Sequence, residues 1–479
     1  MRSEQAEERS LPDWVRRVLV VGASRSGLAA AAALAKVGRE ALLSDRGGPA
    51  DLPDFADAEK SGARLLPGPQ GEWQLEGVDL VIKSPGVPAE AEIMRAAARR
   101  GLPVWSEVEL GYVLLTNSFS AITGTNGKTT TTALLGHMFA TAGRAARVLG
   151  NIGRAVTTAV GDVAPDEELV VEVSSFQLED VHSFRPAAGV LLNLTQDHLD
   201  RHGTMQRYLA CKAKLFQRQR AGDVAVLNRA DPELAELGRA LQCRAEGPEV
   251  LFFSTEGPRG ATSWLGDGRL FLLGRFVARV DEVSLRGLHN MENCLAAGTA
   301  ALARGLDLEA VREALLTFPG VAHRLQRAGI VAGIAYVNDS KATNVEAALK
   351  ALAAYSEGTH LILGGRDKNS DYRPLARACA AGCRAVYLIG EATPLIAAAF
   401  AEVREEEGLA TVPEPRELDD LERAFAAAST AARQGDVVLL APACASFDQY
   451  RDFEERGDHF MRLVDGLAGA RQGTMRGGG

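Results

Sequence analysis

The run Ile122-Thr-Gly-Thr-Asn-Gly-Lys-Thr-Thr-Thr131 constrains this chain more than any other stretch. It lies between an apolar strand expected over 119–122 and a helix expected over 130–140. Glycines at such a junction let backbone N–H groups turn inward around an anion, and the helix N-terminus adds its positive dipole. Lys128 can reach terminal phosphates, and the Thr129 hydroxyl can ligate Mg²⁺. Ile122 stands where the common G-x-x-x-x-G-K-[ST] form has its first glycine, so Gly124 and Gly127 must carry the tight geometry. A triphosphate cradle follows, with ATP as the expected ligand.

At 479 residues the chain exceeds a single core and predicts about three domains of ~150 residues. It is 46% hydrophobic and 24% charged, an ordinary balance for a globular protein. A net charge of −9 without a basic tract argues against a nucleic-acid partner, so local clusters and backbone amides must hold any anion. Six scattered cysteines without a C-x-x-C pair support neither a disulfide framework nor a zinc knuckle, and are expected reduced in a cytoplasm. Residues 1–13 are charged and lack the apolar core of a signal peptide. The apolar run 27–35 is too short to span a bilayer.

Strands and helices alternate in three blocks, predicting an α/β protein: an N-terminal Rossmann-like domain (1–107), a central P-loop ATPase-like domain (108–319) and a C-terminal Rossmann-like domain (320–479). The first block has strands over 18–21, 41–44 and 78–83, with a helix over 28–37. Its loop at 22–27 has two of the three glycines of a dinucleotide fingerprint, and Ser24, Arg25 and Ser26 there suit a diphosphate. The second block continues through strands over 168–173, 189–193, 223–228 and 251–254 to a hairpin-like stretch over 264–283. Helices over 290–304 and 308–317 close it. Third-block strands are expected over 335–338, 359–363, 385–389 and 437–441, and the tail from Gly473 reads as low-complexity linker.

Strand ends in the second and third blocks carry residues that stability alone does not explain. Glu172 interrupts an apolar strand, and a buried carboxylate is costly unless paired or bound to a cation. Asp197, His198 and Asp200 crowd one loop, where His198 can serve as a metal ligand. Lys212 and Lys214 follow on a helix expected over 205–217; spacing alone does not say which of them nears a metal. In the third block the loops at 338–344, 364–371 and 441–450 follow strands of one sheet, forming an anion pocket suited to a carboxylate.

Together these segments resemble the Mur ligases of peptidoglycan synthesis. T-G-T-N-G-K-T marks the superfamily. Glu172-Val-Ser-Ser-Phe-Gln-Leu-Glu179, Asn338-Asp-Ser-Lys-Ala-Thr-Asn344 and Ser446-Phe-Asp-Gln-Tyr-Arg-Asp-Phe453 are similar to the D-glutamate-adding branch. The D-N-P-R-type loop of the branches that add lysine or meso-diaminopimelate is absent from the sequence. Two departures stand out: His198-Leu-Asp-Arg-His-Gly-Thr-Met205 reads like the next ligase of the pathway, and Val321-Ala322 replaces the family's Leu-Pro before His323-Arg324.

The resemblance implies an ATP-dependent ligase that activates a carboxylate as an acyl phosphate and joins it to an amine. It implies catalysis by Lys128, Glu172, His198 and Lys212, with two Mg²⁺ ions on Thr129, Glu172, His198 and a carbamylated Lys212, which the family spacing Tyr208-x-x-x-Lys selects. ATP would be held by Gly124, Thr125, Asn126, Gly127, Lys128, Thr129, Thr130, Asn290, Asn293, Arg324 and Asp339. Ser24, Arg25, Ser26, Arg46, Ser84, Asn151 and His198 would bind UDP-MurNAc-L-Ala, and Lys341, Thr343, Lys368, Ser446 and Phe453 would bind D-glutamate. A monomer with no membrane segment is expected. A folylpolyglutamate-synthetase-like enzyme would lack the UDP-binding first block, and a P-loop sensor would leave the third-block loops without a purpose.

Overall fold

The computed structural model describes residues 9–47, 62–151, 153–355, 357–368, 370–406 and 408–476. The chain divides into two compact units, Met1–Phe318 and Pro319–Gly479. Among the described residues no helix is long and apolar enough to cross a membrane. The fold class is α/β, as the alternating pattern predicts. Most of the expected N-terminal charged stretch, 1–8, lies outside the described residues.

The first unit holds two sheets. One consists of β1 (Arg17–Val21), β2 (Glu40–Asp45), β3 (Arg64–Pro67), β4 (Leu80–Lys83) and β5 (Val104–Ser106), all parallel in the order β3-β2-β1-β4-β5. Strand order reverses between β1 and β4, so a crevice opens beyond their carboxyl ends, where ligands of doubly wound sheets bind. The 22–27 loop follows β1 and Ser84 follows β4. The helix Arg25–Lys36 starts earlier than expected because Gly27 packs onto the preceding turn: a Cβ there would lie 1.8 Å from the Gly22 carbonyl oxygen.

The second sheet contains β6 (Phe119–Thr123), β7 (Ala146–Gly150), β8 (Glu168–Glu172), β9 (Ala188–Leu191), β10 (Val224–Asn228), β11 (Glu249–Ser254), β12 (Ser263–Gly266), β13 (Arg269–Leu272) and β14 (Arg275–Arg279). Its order is β14-β13-β12-β11-β10-β9-β6-β8-β7, parallel except for the antiparallel ribbon β12–β14. Strands such as β8 and β9 are buried along their whole length, as expected of central parallel strands covered by helices on both faces. The order reverses beside β6, which places the phosphate loop at a switch point next to the loop that follows β9.

Between the two sheets runs the helix Glu107–Leu114, whose first turn carries two buried carboxyl groups. Glu109 accepts hydrogen bonds from the backbone N–H groups of His182, Ser183 and Phe184. Glu107 accepts from Thr157 N (2.6 Å) and Thr157 Oγ1 (2.8 Å) through one oxygen, while its other oxygen is buried without a hydrogen-bond partner among the described residues. Burial outweighs those bonds and pushes its pKa up to about 7. The folded chain therefore keeps a proton that the unfolded chain releases above about pH 4.5, and the contribution of Glu107 to stability falls from there to about pH 7. Glu107→Gln, which preserves the acceptor without the charge, is expected to raise the melting temperature at pH 8, by stabilisation on the order of 2–3 kcal/mol. At pH 5 the gain should nearly vanish. Equal melting of both proteins at pH 8 would show that Glu107 carries no such cost.

The second unit is one sheet: β15 (Gln326–Val331), β16 (Ile334–Asn338), β17 (Thr359–Gly364), β18 (Cys383–Ile389), β19 (Arg416–Glu417) and β20 (Val437–Leu440). The order is β15-β16-β20-β17-β18-β19, with only β15 antiparallel to its neighbour. The three expected anion-pocket loops follow the adjacent strands β16, β20 and β17. One expectation is corrected in part: from Gly473 to Arg476 the tail belongs to the helix Phe453–Arg476, and residues 477–479 lie outside the described residues. The helix expected over 205–217 is likewise split, with Met205–Ala213 α-helical and Lys214–Phe216 a tighter 3₁₀ turn.

Candidate active site

The phosphate loop is built by two glycines, as its sequence requires. Gly124 and Gly127 have φ of 154° and 82°, and a Cβ on Gly127 would lie 2.2 Å from Asn293 Oδ1. Gly127 caps the helix Lys128–Thr141 without a side-chain acceptor, leaving the first-turn amides to an incoming anion. Lys128 Nζ folds back onto the Gly124 and Thr125 carbonyl oxygens at 3.0 and 2.8 Å. Thr125, Thr129 and Thr130 are buried. Asn293 accepts from Thr131 Oγ1 at 3.2 Å and donates to Asn290 Oδ1 at 3.1 Å, so both expected ATP-site asparagines lie on the helix Leu288–Ala303 beside the loop.

A residue missed by sequence reasoning fixes this loop to its neighbour. Asn193 Oδ1 accepts from the N–H groups of Thr125 (3.1 Å) and Asn126 (2.8 Å), and its Nδ2 donates to the Asn126 carbonyl. The loop after β9 is thereby drawn against the phosphate loop. His198 lies on it in a left-handed conformation (φ 51°), 4.8 Å from the Phe176 ring and 3.5 Å from Asp197 Oδ2. Its side chain is nearly half exposed, and the nearby His202 is buried with its Nε2 3.0 Å from Ser175 Oγ. Burial lowers the His202 pKa below its ordinary value.

Glu172 is 1% exposed at the end of β8. Asn151 Nδ2 donates to its Oε1 at 2.7 Å, yet its Oε2 has no hydrogen-bond partner among the described residues. A buried carboxylate oxygen left empty beside a phosphate loop fits a cation. Among the described residues no three His, Cys, Asp or Glu side chains converge to hold a metal. That suits Mg²⁺, which takes one or two protein oxygens and fills its other positions with water and phosphate.

The two lysines left open by spacing diverge in the fold. Lys212, 1% exposed, reaches the Gly124 carbonyl at 2.8 Å, with its ammonium 4.5 Å from the Tyr208 ring centre. Burial, reinforced by the charge of Lys128, lowers its pKa to about 7. Lys214 instead donates to the Glu179 carbonyl, away from the loop.

At the first sheet's crevice, Ser84 Oγ donates to the Gly22 carbonyl at 2.9 Å, joining the loops after β1 and β4. Ser24 and Arg25 are exposed at the start of the helix Arg25–Lys36, Ser26 is half-buried, and Arg46 is exposed beyond β2. Asp45 was not anticipated; its carboxylate accepts from Ala23 N at 2.7 Å and Gly47 N at 2.8 Å and so shapes both turns.

In the second unit, one unforeseen side chain organises all three loops. Arg456, 1% exposed, donates to the carbonyl oxygens of Ser340 (3.0 Å), Cys444 (3.2 Å), Gly364 (3.5 Å) and Ala445 (3.5 Å), and to Ser340 Oγ (3.0 Å). Burial lowers its pKa to about 10, so it remains a cation at neutral pH. Around it, Ser446 is buried, Thr343 half-buried, Lys368 exposed, and Lys341 Nζ sits 5.7 Å from the Phe453 ring centre. Asp339 accepts from Leu325 N at 3.0 Å, and burial raises its pKa to about 6; Arg324 is exposed.

Residues 122–301 match the Mur ligase middle domain, and residues 323–444 match the Mur ligase glutamate ligase domain. A UDP-N-acetylmuramoylalanine–D-glutamate ligase of Pelotomaculum thermopropionicum is 45% identical over 461 residues, spanning 95% of this chain and 98% of the relative. The fold is similar to the UDP-N-acetylmuramate-alanine ligase MurC of Thermotoga maritima, with a TM-score of 0.56 at 19% identity over 94% of this chain and 99% of that one. It is also similar to a MurF ligase of Thermotoga maritima in complex with ADP, with a TM-score of 0.51 at 16% identity over 96% and 100%. The chain belongs to the Mur ligase family, among the UDP-N-acetylmuramoylalanine–D-glutamate ligases.

Proposed function

We propose that this chain adds D-glutamate to UDP-N-acetylmuramoyl-L-alanine in peptidoglycan precursor synthesis, with ATP converted to ADP and phosphate. The carrying observation is that Lys128 and Lys212 both reach the Gly124 carbonyl of the glycine-built loop while the half-satisfied Glu172 ends the neighbouring strand opposite Ile122, two residues before Gly124. In the first step a carboxylate oxygen of the UDP-substrate attacks the γ-phosphorus of ATP, and the bond to the bridging oxygen breaks to release ADP. In the second the amine of D-glutamate attacks the acyl carbon, loses a proton, and expels phosphate. Both steps bring anions together, so their barriers depend on cations and aimed amides. Lys128, on leaving the loop carbonyls, offsets the charge of the β- and γ-phosphates, and the helix amides after Gly127 hold them.

Thr129 and Glu172 would hold one Mg²⁺, His198 and a carbamylated Lys212 a second, which when bound neutralise the transferring phosphoryl oxygens. Residues 1–107 would bind the UDP-sugar through Ser24, Arg25, Ser26, Arg46 and Ser84, with Asn151 and His198 from the central domain (108–319). Gly124 to Thr130, Asn290, Asn293, Arg324 and Asp339 would bind ATP. The C-terminal domain (320–479) would bind D-glutamate through Lys341, Thr343, Lys368, Ser446 and Phe453, on loops that Arg456 holds in place. We take the working enzyme to be a monomer of the cytoplasm.

The decisive measurement is phosphate release with UDP-MurNAc-L-Ala and a panel of amino acids. D-Glutamate should turn over fastest. D-Glutamine loses one charge-assisted contact, worth about 1.5–3 kcal/mol, and should react roughly ten- to a hundredfold less efficiently. Similar rates with D-Glu, L-Glu and D-Gln would overturn the assignment of the acceptor.

A further inference from the structure

We propose that Arg201 is a positioning residue for the UDP-sugar, holding the turn after β4 against the loop that carries His198. This rests on the functional reading above, because that reading makes the turn after β4 part of the substrate site. Arg201 uses its whole guanidinium. Nε and Nη2 grip the two oxygens of Glu179 at 2.9 and 2.5 Å, while Nη1 donates to the Pro85 carbonyl at 2.7 Å and Nη2 to the Val87 carbonyl at 3.3 Å. Its plane also lies 4.3 Å from the Phe176 ring centre.

The far side of the turn is fastened to the same carboxylate. Lys83, the last residue of β4 and 3% exposed, lies 2.8 Å from Glu179 Oε2 and 2.7 Å from Asp180 Oδ2. Burial would raise the Glu179 pKa, but the hydrogen bonds from Arg201 and Lys83 more than offset it and keep the group ionised. Two cations and two carboxylates thus clamp both ends of a four-residue turn, and Ser84 within it passes the constraint to Gly22 across the crevice. Arg201 lies in the short helix Leu199–His202 that begins at His198. A change in that helix therefore moves the UDP-sugar turn directly.

The geometry needs a fork. A lysine at 201 would keep the charge beside Glu179 but cannot reach the carboxylate and two carbonyl oxygens together. A clamp serving stability alone would disturb all ligands alike, whereas a positioning role falls on one substrate. Arg201→Lys and, as a second variant, Glu179→Gln are assayed for phosphate release with UDP-MurNAc-L-Ala and ATP varied in turn. The expected result is a KM for the UDP-substrate raised at least tenfold, with the KM for ATP within twofold of wild type. Calorimetric titration with UDP alone, which needs no turnover, should show weakening of similar size. An unchanged UDP affinity, or equal losses for UDP and ATP, overturns the proposal. Failure of the functional reading is separately visible, as absence of phosphate release by the wild-type enzyme, and the UDP titration still decides the role of Arg201.

Discussion

Lys128→Ala is expected to abolish measurable turnover, by a factor of at least about 10³, while leaving the fold intact. Each tenfold loss corresponds to about 1.4 kcal/mol of barrier, and under the proposed function the Lys128 ammonium offsets the charge of two phosphates, an interaction expected to supply about three such factors. The fold should survive because Lys128 donates to the Gly124 and Thr125 carbonyls of its own loop, contacts that reach no distant element. The loop itself is held by Gly127 against Asn293 and by Asn193 across its amides, contacts the substitution does not touch. The informative pair of measurements is the melting temperature and the rate of ADP formation. A folded variant that ligates at near wild-type rate would remove Lys128 from the mechanism.

The phosphate loop was legible because its chemistry is written in consecutive residues: two glycines with positive φ and a Lys-Thr pair at a helix start. Glu172 was legible for a related reason, since a carboxylate ending the run Leu169-Val-Val is hard to reconcile with a central strand unless something binds it. Arg201 and Arg456 were not. Each sits among charged neighbours in sequence, Asp200-Arg-His and Glu454-Glu-Arg, and reads as part of a solvated helix face. Only the return of distant strands surrounds them with carbonyl groups. Asn193 hid for the same reason, because its partners lie 67 and 68 residues away. Among the strands, β5 and β19 have three and two residues, too short for any periodicity to show. The start of the helix Arg25–Lys36 was misplaced because Gly27 reads as a loop residue, whereas the fold uses it to let a helix touch the turn before it.

Lys212→Ala should be nearly as damaging as the loss of Lys128, but its loss should be reversible by chemistry. The buried Lys212 ammonium is unfavourable twice over, through desolvation and through repulsion by Lys128, and its pKa falls to about 7. The neutral amine is then accessible near neutral pH, able to take up CO₂ as a carbamate with release of one proton. That converts a competing cation into an anionic oxygen ligand. Below about pH 7 the amine protonates, so carbamate and activity should decline together, and added bicarbonate should recover part of the rate. In Lys212→Ala, formate or acetate entering the vacated space should restore a fraction of turnover lost by about 10³. Lys214→Ala tests the alternative: its ammonium faces the Glu179 carbonyl, so that variant should keep most of its activity and gain nothing from carboxylic acids. Wild-type-like activity in Lys212→Ala would dispose of the carbamate, and rescue confined to Lys214→Ala would transfer it to the other lysine.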